Sequence, residues 1–419
     1  MEMKFTEVLT PTVRAIYAAR EKEGRAEAPR RYLGASIIGS ACDRYLWLMF
    51  RGVISQKFDG RMFRLFERGR REEAEFCRDL RSIGCEVWEK DENGNQFGVS
   101  FLGDHFRGHC DAIVRGIPEA PKTPHVVEMK THSAKSFAKL VKEGVKKSKP
   151  MHYAQMQVYM HGLGLEDALY LAVNKDTDNL YTERVKLDKA EVKRLMERAE
   201  CIIDGYEAMR CATREDDYRC KMCEARMVCW HKTGAEFACE TCIDCRSCCH
   251  STPDTTKEGA RWTCMKGKNC TIGRDCECED HRVIPVLMAG ELMGARGADI
   301  VYKDAKGNEV VNGESGYSSK ELASLPKDKA GEIADICAKT GGTFVGSNTL
   351  EMKFKNAPEV FVGDKAEARA YMQEHGVGKW AETAHETVGG KEYYEYCGTK
   401  LVIIDCGKGR ISVKDMEVA

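Results

Sequence analysis

The sequence predicts an α/β fold in its first half, then a Cys-rich metal-binding module, then a small α+β domain. Helical and strand patterns alternate over residues 1–232, with the strands clustered in the middle. Of the 21 cysteines, 12 lie between Cys220 and Cys278. Mixed patterns resume at 284–419, so these composition shifts predict three domains: 1–232, 233–283 and 284–419. With 419 residues, 31% charged and 42% hydrophobic, the composition is that of a globular protein.

Composition also excludes some classes of protein. No apolar run reaches the roughly 18–20 residues that a membrane helix needs. The segment 1–10 lacks a signal-peptide pattern, so we expect a cytoplasmic protein without disulfides. The net charge is -1, but residues 1–150 hold 28 Lys and Arg against 21 Asp and Glu. This basic first part suits a polyanionic partner.

The spacing of apolar residues predicts the helices and strands in chain order. Apolar residues at helical spacing predict helices over 36–52 and 61–84, each ending at a glycine. Alternating and β-branched residues predict the strands 85–90, 97–101, 105–116, 125–131, 168–173 and 180–187. The remaining predicted helices are 134–147, 152–163 and a long one that ends near Arg210.

Two acids and a lysine are expected to converge. The strands 105–116 and 125–131 flank IPEAPKTP, a plausible reversal, and in such a hairpin Asp111 lies opposite Glu128, with Cβ atoms roughly 4.5–5.5 Å apart. Lys130 follows Glu128 by two residues and therefore projects from the same face. Paired carboxylates attract a hard cation, Mg²⁺ or Mn²⁺, and a lysine can orient the attacking water. The alternative is a surface hairpin with a Glu–Lys pair, since so short a motif is weak by itself.

Four ordered motifs together resemble the RecB-like branch of the PD-(D/E)xK nucleases over roughly residues 34–232. Gly108–Asp111 is similar to the GxxD motif of that family, Glu128–Thr131 to (D/E)xKT and Gln155–Tyr159 to QxxxY. Gly69–Glu73 lies where the family has an upstream helix with an acid or a histidine. The resemblance implies a central mixed sheet flanked by helices.

The same resemblance implies roles for single residues. Asp111 and Glu128 would be metal ligands and Lys130 the catalytic lysine, while Gln155 and Tyr159 would orient the DNA or the active-site loop. Glu73 would be the upstream acid. Its neighbours on the helix, Glu72 and Glu75, leave open that all three form a solvated face.

A lysine stripe follows the motif lysine. Its members recur on one side of the predicted helix: Lys135, Lys139, Lys142 and Lys146. We interpret this stripe as a track for the phosphate backbone of DNA, with a solvated helix face as the alternative.

The first cysteine set, Cys220, Cys223 and Cys229, needs a fourth ligand for either zinc or a cluster. His231 would complete a zinc site, whereas Cys42 would complete a cluster. The chain is similar to the CRISPR-associated branch and to the AddB nuclease subunit, which have one cysteine before the nuclease motifs and three after them. This resemblance implies a 4Fe-4S iron–sulfur cluster on all four cysteines.

The second cysteine set has two interpretations. A zinc ribbon would use Cys245, Cys248 and Cys264, closed by Cys278 or His281. A ferredoxin-like run would instead use four closely spaced cysteines, with a histidine in place of the usual proline: Cys239, Cys242, Cys245 and Cys249. We favour Zn²⁺, because pairs of closely spaced ligands flank a spacer and a tryptophan, as they do in small zinc ribbons.

Residues 284–419 give no nucleophile constellation or phosphate loop, so we expect an accessory domain. A hairpin should turn at Asp304–Gly307, and Ser318 should cap a helix. Helices are also expected over 330–341 and 365–376, and strands over 391–406.

These observations predict a metal-dependent deoxyribonuclease, an exonuclease serving recombination, repair or end processing. A first alternative is a nucleic-acid-binding scaffold with the nuclease fold and no chemistry. A second is a nuclease subunit that acts only with a recombinase, annealing or helicase partner, since no P-loop is present for unwinding.

Overall fold

The computed structural model describes most of the chain in two compact units. The described residues are 10–25, 30–54, 58–205, 207–231, 237–238, 244–268, 278–325, 327 and 330–331, with the strand backbones of 342–346, 350–354, 360–362, 385–388, 391–396 and 399–404. The first unit comprises 1–50, 54–213 and 253–262, and the second comprises 51–53, 214–252 and 263–419. These units do not follow the three composition zones, because 214–232 falls in the second unit and 253–262 in the first.

The helices of the first unit are α1 (Pro11–Arg25), α2 (Asp43–Phe50), α3 (Gly60–Ser82), α4 (Ala134–Ser148), α5 (Pro150–Leu163) and α6 (Lys189–Asp204). Its strands are β1 (Leu33–Gly34), β2 (Glu86–Trp88), β3 (Gly98–Phe101), β4 (Phe106–His109), β5 (Ala112–Arg115), β6 (His125–His132), β7 (Asp167–Asn174) and β8 (Leu180–Lys186). No helix among the described residues is both long enough and apolar enough to cross a membrane.

The central sheet has five strands in the order β2-β5-β6-β7-β8. Only the β6–β7 pair is parallel, so the expectation of a mixed sheet is confirmed. Alternate residues of β6, Val127 and Met129, join a buried cluster with Phe76 and Leu80 of α3. Because strand side chains alternate, Glu128 and Lys130 project from the opposite face, the face on which α5 contacts β6 and β7.

Several predicted boundaries of the first unit are wrong. The segment 36–52 is helical only over α2, and Cys42 precedes that helix. The predicted strand 105–116 is two strands: β4 belongs to a separate sheet of order β1-β4-β3, and β5 to the central sheet. The last long helix, α6, ends at Asp204, well before Arg210. Each error comes from a local pattern that continues past the point where tertiary packing ends the element.

The second unit is built from short elements. They are α7 (Tyr218–Lys221), α8 (Arg226–His231), β9 (Ser251–Pro253), β10 (Trp262–Cys264), β11 (Glu291–Arg296), β12 (Asp299–Lys303), β13 (Glu309–Asn312), α9 (Ser319–Ser324), β14 (Gly342–Gly346), β15 (Leu350–Phe354), β16 (Val360–Val362), β17 (His385–Val388), β18 (Lys391–Tyr396) and β19 (Thr399–Ile404). The tip of the β9–β10 hairpin, 253–262, is grouped with the first unit.

Three predictions for this unit are confirmed. The β12–β13 hairpin turns at Asp304–Gly307, where the Gly307 N–H donates to the Asp304 carbonyl at 3.1 Å. Ser318 and Glu321 form a capping box at the start of α9. Residues 391–396 and 399–404 are paired antiparallel strands, as expected. Of the helix predicted over 330–341, the structure describes only residues 330 and 331, which are helical; the helix predicted over 365–376 lies outside the described residues.

Candidate active site

The two acids and the lysine converge at one end of the central sheet. The register of β5 and β6 pairs Ala112 with Val127 and Ile113 with Val126, so its continuation sets Asp111 opposite Glu128 as predicted. Lys130 Nζ lies 2.5 Å from Glu128 Oε1 and 3.9 Å from Asp111 Oδ2. The three side chains therefore share one small volume.

Asp111 lies at the break between β4 and β5, where the chain passes from one sheet to the other. Its Oδ2 accepts a hydrogen bond of 2.7 Å from the Met129 backbone N–H. This bond fixes the Asp111 side chain against β6 and leaves its other oxygen available to a ligand.

Glu128 is fully buried, and among the described residues no hydrogen-bond donor other than the Lys130 ammonium approaches its carboxylate. Burial raises the pKa of Glu128 to about 7. The ammonium of Lys130 opposes this increase, and the charge of Asp111 adds to it. Burial alone would disfavour the ammonium, but the carboxylates of Glu128 and Asp111 outweigh it and raise the pKa of Lys130. Burying carboxylates is expensive unless cations neutralise them, and Glu128 and Asp111 share the single ammonium of Lys130, so this site suits a divalent ion.

The structure separates the three neighbouring glutamates Glu72, Glu73 and Glu75 of α3. Burial and then the charge of Asp111 raise the pKa of Glu73, while the charge of Lys130 lowers it, which places Glu73 beside the acid–lysine site. Glu72 lines a surface cavity with Arg64, Arg68 and Arg71, and Glu75 forms an ion pair with Arg78. Glu73 is therefore the one member of this charge run that faces the site.

Gln155 and Tyr159 lie behind the carboxylates and are buried, with 6% and 2% of their surface exposed. The Gln155 amide donates to the Tyr159 hydroxyl at 3.0 Å. The pKa of Tyr159 is raised by burial and then by the charge of Glu128. A Cβ added to Gly108 would lie 2.6 Å from Cε1 of Tyr159, so the glycine of the GxxD segment makes room for the tyrosine.

The lysine stripe is interrupted. All four of its lysines are exposed, but α4 is kinked at Gly144, whose φ of 72° leaves the helical region. Glu183 accepts a 2.8 Å hydrogen bond from the Val145 N–H at this kink. Beyond it, Lys146 lies 3.2 Å from Asp188. Only Lys135, Lys139 and Lys142 form a continuous helical stripe.

Sequence reasoning missed a polar network on the same sheet face. Tyr170, the β7 partner of Glu128, has its hydroxyl 2.8 Å from His132 Nε2 and 2.8 Å from His152 Nδ1. Burial and then the neighbouring lysines lower the pKa of His132 to about 4; burial and then the charge of Lys130 lower that of His152 to about 3. The signal available in the sequence was the stripe of His152, Gln155 and Tyr159 at positions i, i+3 and i+7 of one helix.

The cysteines of the first set fall in both units. Cys42 belongs to the first, where Arg198 holds its loop through Asp43 Oδ1 at 2.7 Å and the Ser40 carbonyl at 2.7 Å. Cys220, Cys223 and Cys229 belong to the second. The side chain of His231 lies outside the described residues.

For the second cysteine set, burial and then the charges of nearby groups, including Cys264 and Cys278, raise the pKa of Cys248. Cys245 is buried. His281 Nε2 donates to the Asp244 carbonyl at 2.9 Å, and its buried Nδ1 has no partner. Cys239 and Cys242 lie outside the described residues, so the ferredoxin-like alternative stays a prediction.

Within the described part of the chain, no group of three or more His, Cys, Asp or Glu side chains is arranged to hold a metal ion. Mg²⁺ does not require such a group, because it binds through one or two carboxylates and keeps several waters or substrate phosphates as ligands. Asp111 and Glu128 meet this requirement.

The family model of the PD-(D/E)XK nuclease superfamily matches residues 6–230, more than half of the chain. The chain belongs to this superfamily of nucleases. No curated protein matches it.

Solved structures give a weaker likeness. One similar structure is that of LHK-Exo, an alkaline exonuclease from Laribacter hongkongensis, in complex with dAMP. Its sequence is 16% identical, the match covers 45% of this chain and 90% of that chain, and the TM-score is 0.31. A phage related exonuclease from Haemophilus somnus 129PT is also 16% identical. The match covers 33% of this chain and 68% of that chain, and the TM-score is 0.24. At scores this low, the likeness supports no conclusion about the reaction.

Proposed function

We propose that this nuclease is a Mg²⁺- or Mn²⁺-dependent DNA exonuclease that hydrolyses phosphodiester bonds in recombination, repair or end processing. The observation that carries the proposal is the convergence of Asp111, Glu128 and Lys130, with Glu128 fully buried and the Lys130 ammonium lying 2.5 Å from its Oε1 and 3.9 Å from Asp111 Oδ2.

Asp111 and Glu128 would hold the ion, and Glu73, whose pKa responds to the charges of Asp111 and Lys130, would assist through a water molecule. When bound, the ion would lower the pKa of a water molecule and offset charge on the phosphate. Without it, Lys130 is the one compensating charge in contact with ionised Glu128 among the described residues.

The other residues prepare the site. Glu128 and Asp111 hold the Lys130 ammonium where it can donate to a phosphate oxygen or orient the attacking water. Gln155 and Tyr159 are too buried to grip DNA, so of their two predicted roles we favour positioning the Asp111 loop, through the contact of Tyr159 with Gly108. The exposed lysines of α4 would contact backbone phosphates.

The test uses end-labelled linear DNA and circular DNA with Mg²⁺ or Mn²⁺, alongside Asp111→Ala, Lys130→Ala and the exposed-surface control Lys193→Ala. Wild type and control should shorten linear DNA, both site variants should lose at least roughly 100-fold in rate, and circular DNA should remain intact. Cleavage of circles would refute exonuclease action. Salt-sensitive binding without cleavage would instead favour the scaffold alternative.

We also propose two further metal sites. The order of Cys42, Cys220, Cys223 and Cys229 supports the 4Fe-4S cluster. The charges of Cys264 and Cys278 near Cys248, together with the unpartnered His281 Nδ1, support zinc in the second set. Metal and sulfide analysis of anaerobically purified protein tests both: iron with sulfide is expected to fall in Cys220→Ser, and zinc to fall in Cys248→Ser. Protein with zinc alone would reject the cluster.

A further inference from the structure

A chain of hydrogen bonds runs from the start of α5 across the sheet to the candidate active site. The Lys149 ammonium donates to Ser136 Oγ. Ser136 Oγ lies 3.3 Å from His132 Nδ1, and the Tyr170 hydroxyl bridges His132 Nε2 and His152 Nδ1 at 2.8 Å each. The rings of the two histidines and the tyrosine are stacked, with centroids 5.7–6.3 Å apart. Five side chains thus form one network: four come from α4, β6, β7 and α5, and the fifth, Lys149, lies between α4 and α5.

Lys149, at one end of the network, determines which group donates and which accepts in each hydrogen bond. A lysine ammonium only donates, so Ser136 accepts from Lys149. Among the described residues the Ser136 hydroxyl has one acceptor for its own hydrogen, His132 Nδ1. A neutral imidazole that accepts at Nδ1 carries its hydrogen at Nε2, so His132 donates to the Tyr170 oxygen. The Tyr170 hydroxyl must then donate to His152 Nδ1, which puts the remaining hydrogen of His152 on Nε2.

The far end of the network lies on the sheet face that carries Glu128 and Lys130, because Tyr170, which contacts His152, is the β7 partner of Glu128. His152 shares one stripe of α5 with Gln155 and Tyr159, which lie behind Glu128, and it is partly exposed. In the described part of the chain, Nε2 of His152 has no hydrogen-bond partner. His132 follows Lys130 by two residues on the same face of β6, so the network runs alongside the acid–lysine site.

We propose that His152 is an additional catalytic residue, whose Nε2–H donates a hydrogen bond to a non-bridging oxygen of the scissile phosphate. Tyr170, His132, Ser136 and Lys149 are positioning residues that fix the His152 tautomer and ring. A neutral donor fixed in this way stabilises developing negative charge without a compensating reorganisation at the moment of reaction. The inference rests on the proposed nuclease function and adds to it a phosphate contact outside the acid–lysine motif.

The first experiment reads the tautomer without any need for activity. Nitrogen NMR of the full chain labelled at histidine, with the His152 signals assigned by their loss in His152→Gln, should show protonated Nε2 and unprotonated Nδ1 in His152. In Tyr170→Phe this preference should weaken. A His152 protonated at Nδ1, or one whose tautomer is unchanged by Tyr170→Phe, would overturn the network even if the protein cleaved no DNA at all.

The second experiment compares single-turnover cleavage and KM in His152→Ala, His152→Gln, Tyr170→Phe and the control His161→Gln, an exposed histidine of the same helix. His152→Ala should lose roughly 10- to 100-fold in kcat with little change in KM. His152→Gln, which keeps a donor, should recover part of that loss, Tyr170→Phe should lose several-fold, and the control should match wild type. Equal rates in wild type and His152→Ala, or no rescue by glutamine, would refute the phosphate contact while leaving the nuclease function in place.

Discussion

The carboxylate of Asp111 accepts a hydrogen bond from the backbone of Met129, the residue between Glu128 and Lys130, at 2.7 Å. This bond ties the point where the chain changes sheets to the strand that carries the other two site residues. On the proposed function, Asp111 therefore has two roles that can be separated: one oxygen supports the fold, and the negative charge would hold the metal ion.

Asp111→Asn should keep the amide oxygen as acceptor and remove the charge. We expect a melting temperature close to that of wild type and a loss of cleavage of roughly 100-fold or more. Asp111→Ala should lose cleavage equally and, because the Met129 N–H then lacks its partner, should also lose about 1–3 kcal/mol of unfolding free energy. Urea denaturation and the end-labelled assay measure both effects. An active Asp111→Asn would contradict the metal-binding role.

Gly108→Ala should destabilise the first unit. Its Cβ would lie 2.6 Å from Cε1 of Tyr159 and 2.7 Å from Cβ of Ala35, which requires displacement costing about 1–3 kcal/mol. Gly69→Ala in the exposed part of α3 is the matched control, because its Cβ meets nothing within 4 Å. That change should stabilise by up to about 1 kcal/mol. Equal stability of the two variants would show that the Gly108–Tyr159 contact is not close.

Stability should depend on pH through His132 and His152. Their pKa values fall from 6.5 to about 4 and about 3, so between those values and 6.5 the unfolded chain binds protons that the folded chain does not. The contribution of these histidines to the free energy of unfolding is therefore fully present above pH 6.5. It is lost as the pH falls, by up to about 1.4 kcal/mol per pH unit for each histidine. We expect the free energy of unfolding, measured with urea from pH 4.5 to 7.5, to change less steeply with pH in His152→Gln than in wild type. An unchanged slope would contradict a His152 that stays neutral in the folded state over this pH range.

The helix α4 should contact DNA through its uninterrupted part. In an Asp111→Asn background, Lys135→Ala and Lys142→Ala should weaken binding and each reduce the slope of log K against log salt by about 0.7–0.9. Lys146→Ala should have a smaller effect, since Lys146 is paired with Asp188 beyond the Gly144 kink. Fluorescence anisotropy over a salt series measures this difference. Equal slopes for all three variants would restore the predicted four-lysine track.

The spacing of the site motifs could be predicted because it follows from local geometry. Strand alternation placed Glu128 and Lys130 on one face, and hairpin register placed Asp111 opposite Glu128. The Ser318 cap and the Asp304–Gly307 turn were equally predictable, since each depends on neighbouring backbone groups. The short length of α2 and the kink in α4 were not, because packing rather than propensity ended those helices.

By itself, the sequence determined the acid–acid–lysine set and the order of the strands that carry it, because side-chain alternation and hairpin pairing act over a few residues. Tertiary structure alone decided that the chain changes sheets at Asp111, that Glu73 rather than Glu72 or Glu75 faces the site, and that Lys149 reaches His152 through three intervening side chains. These relationships join residues far apart in the chain, and their burial and distances exist only after the sheet and its covering helices have packed.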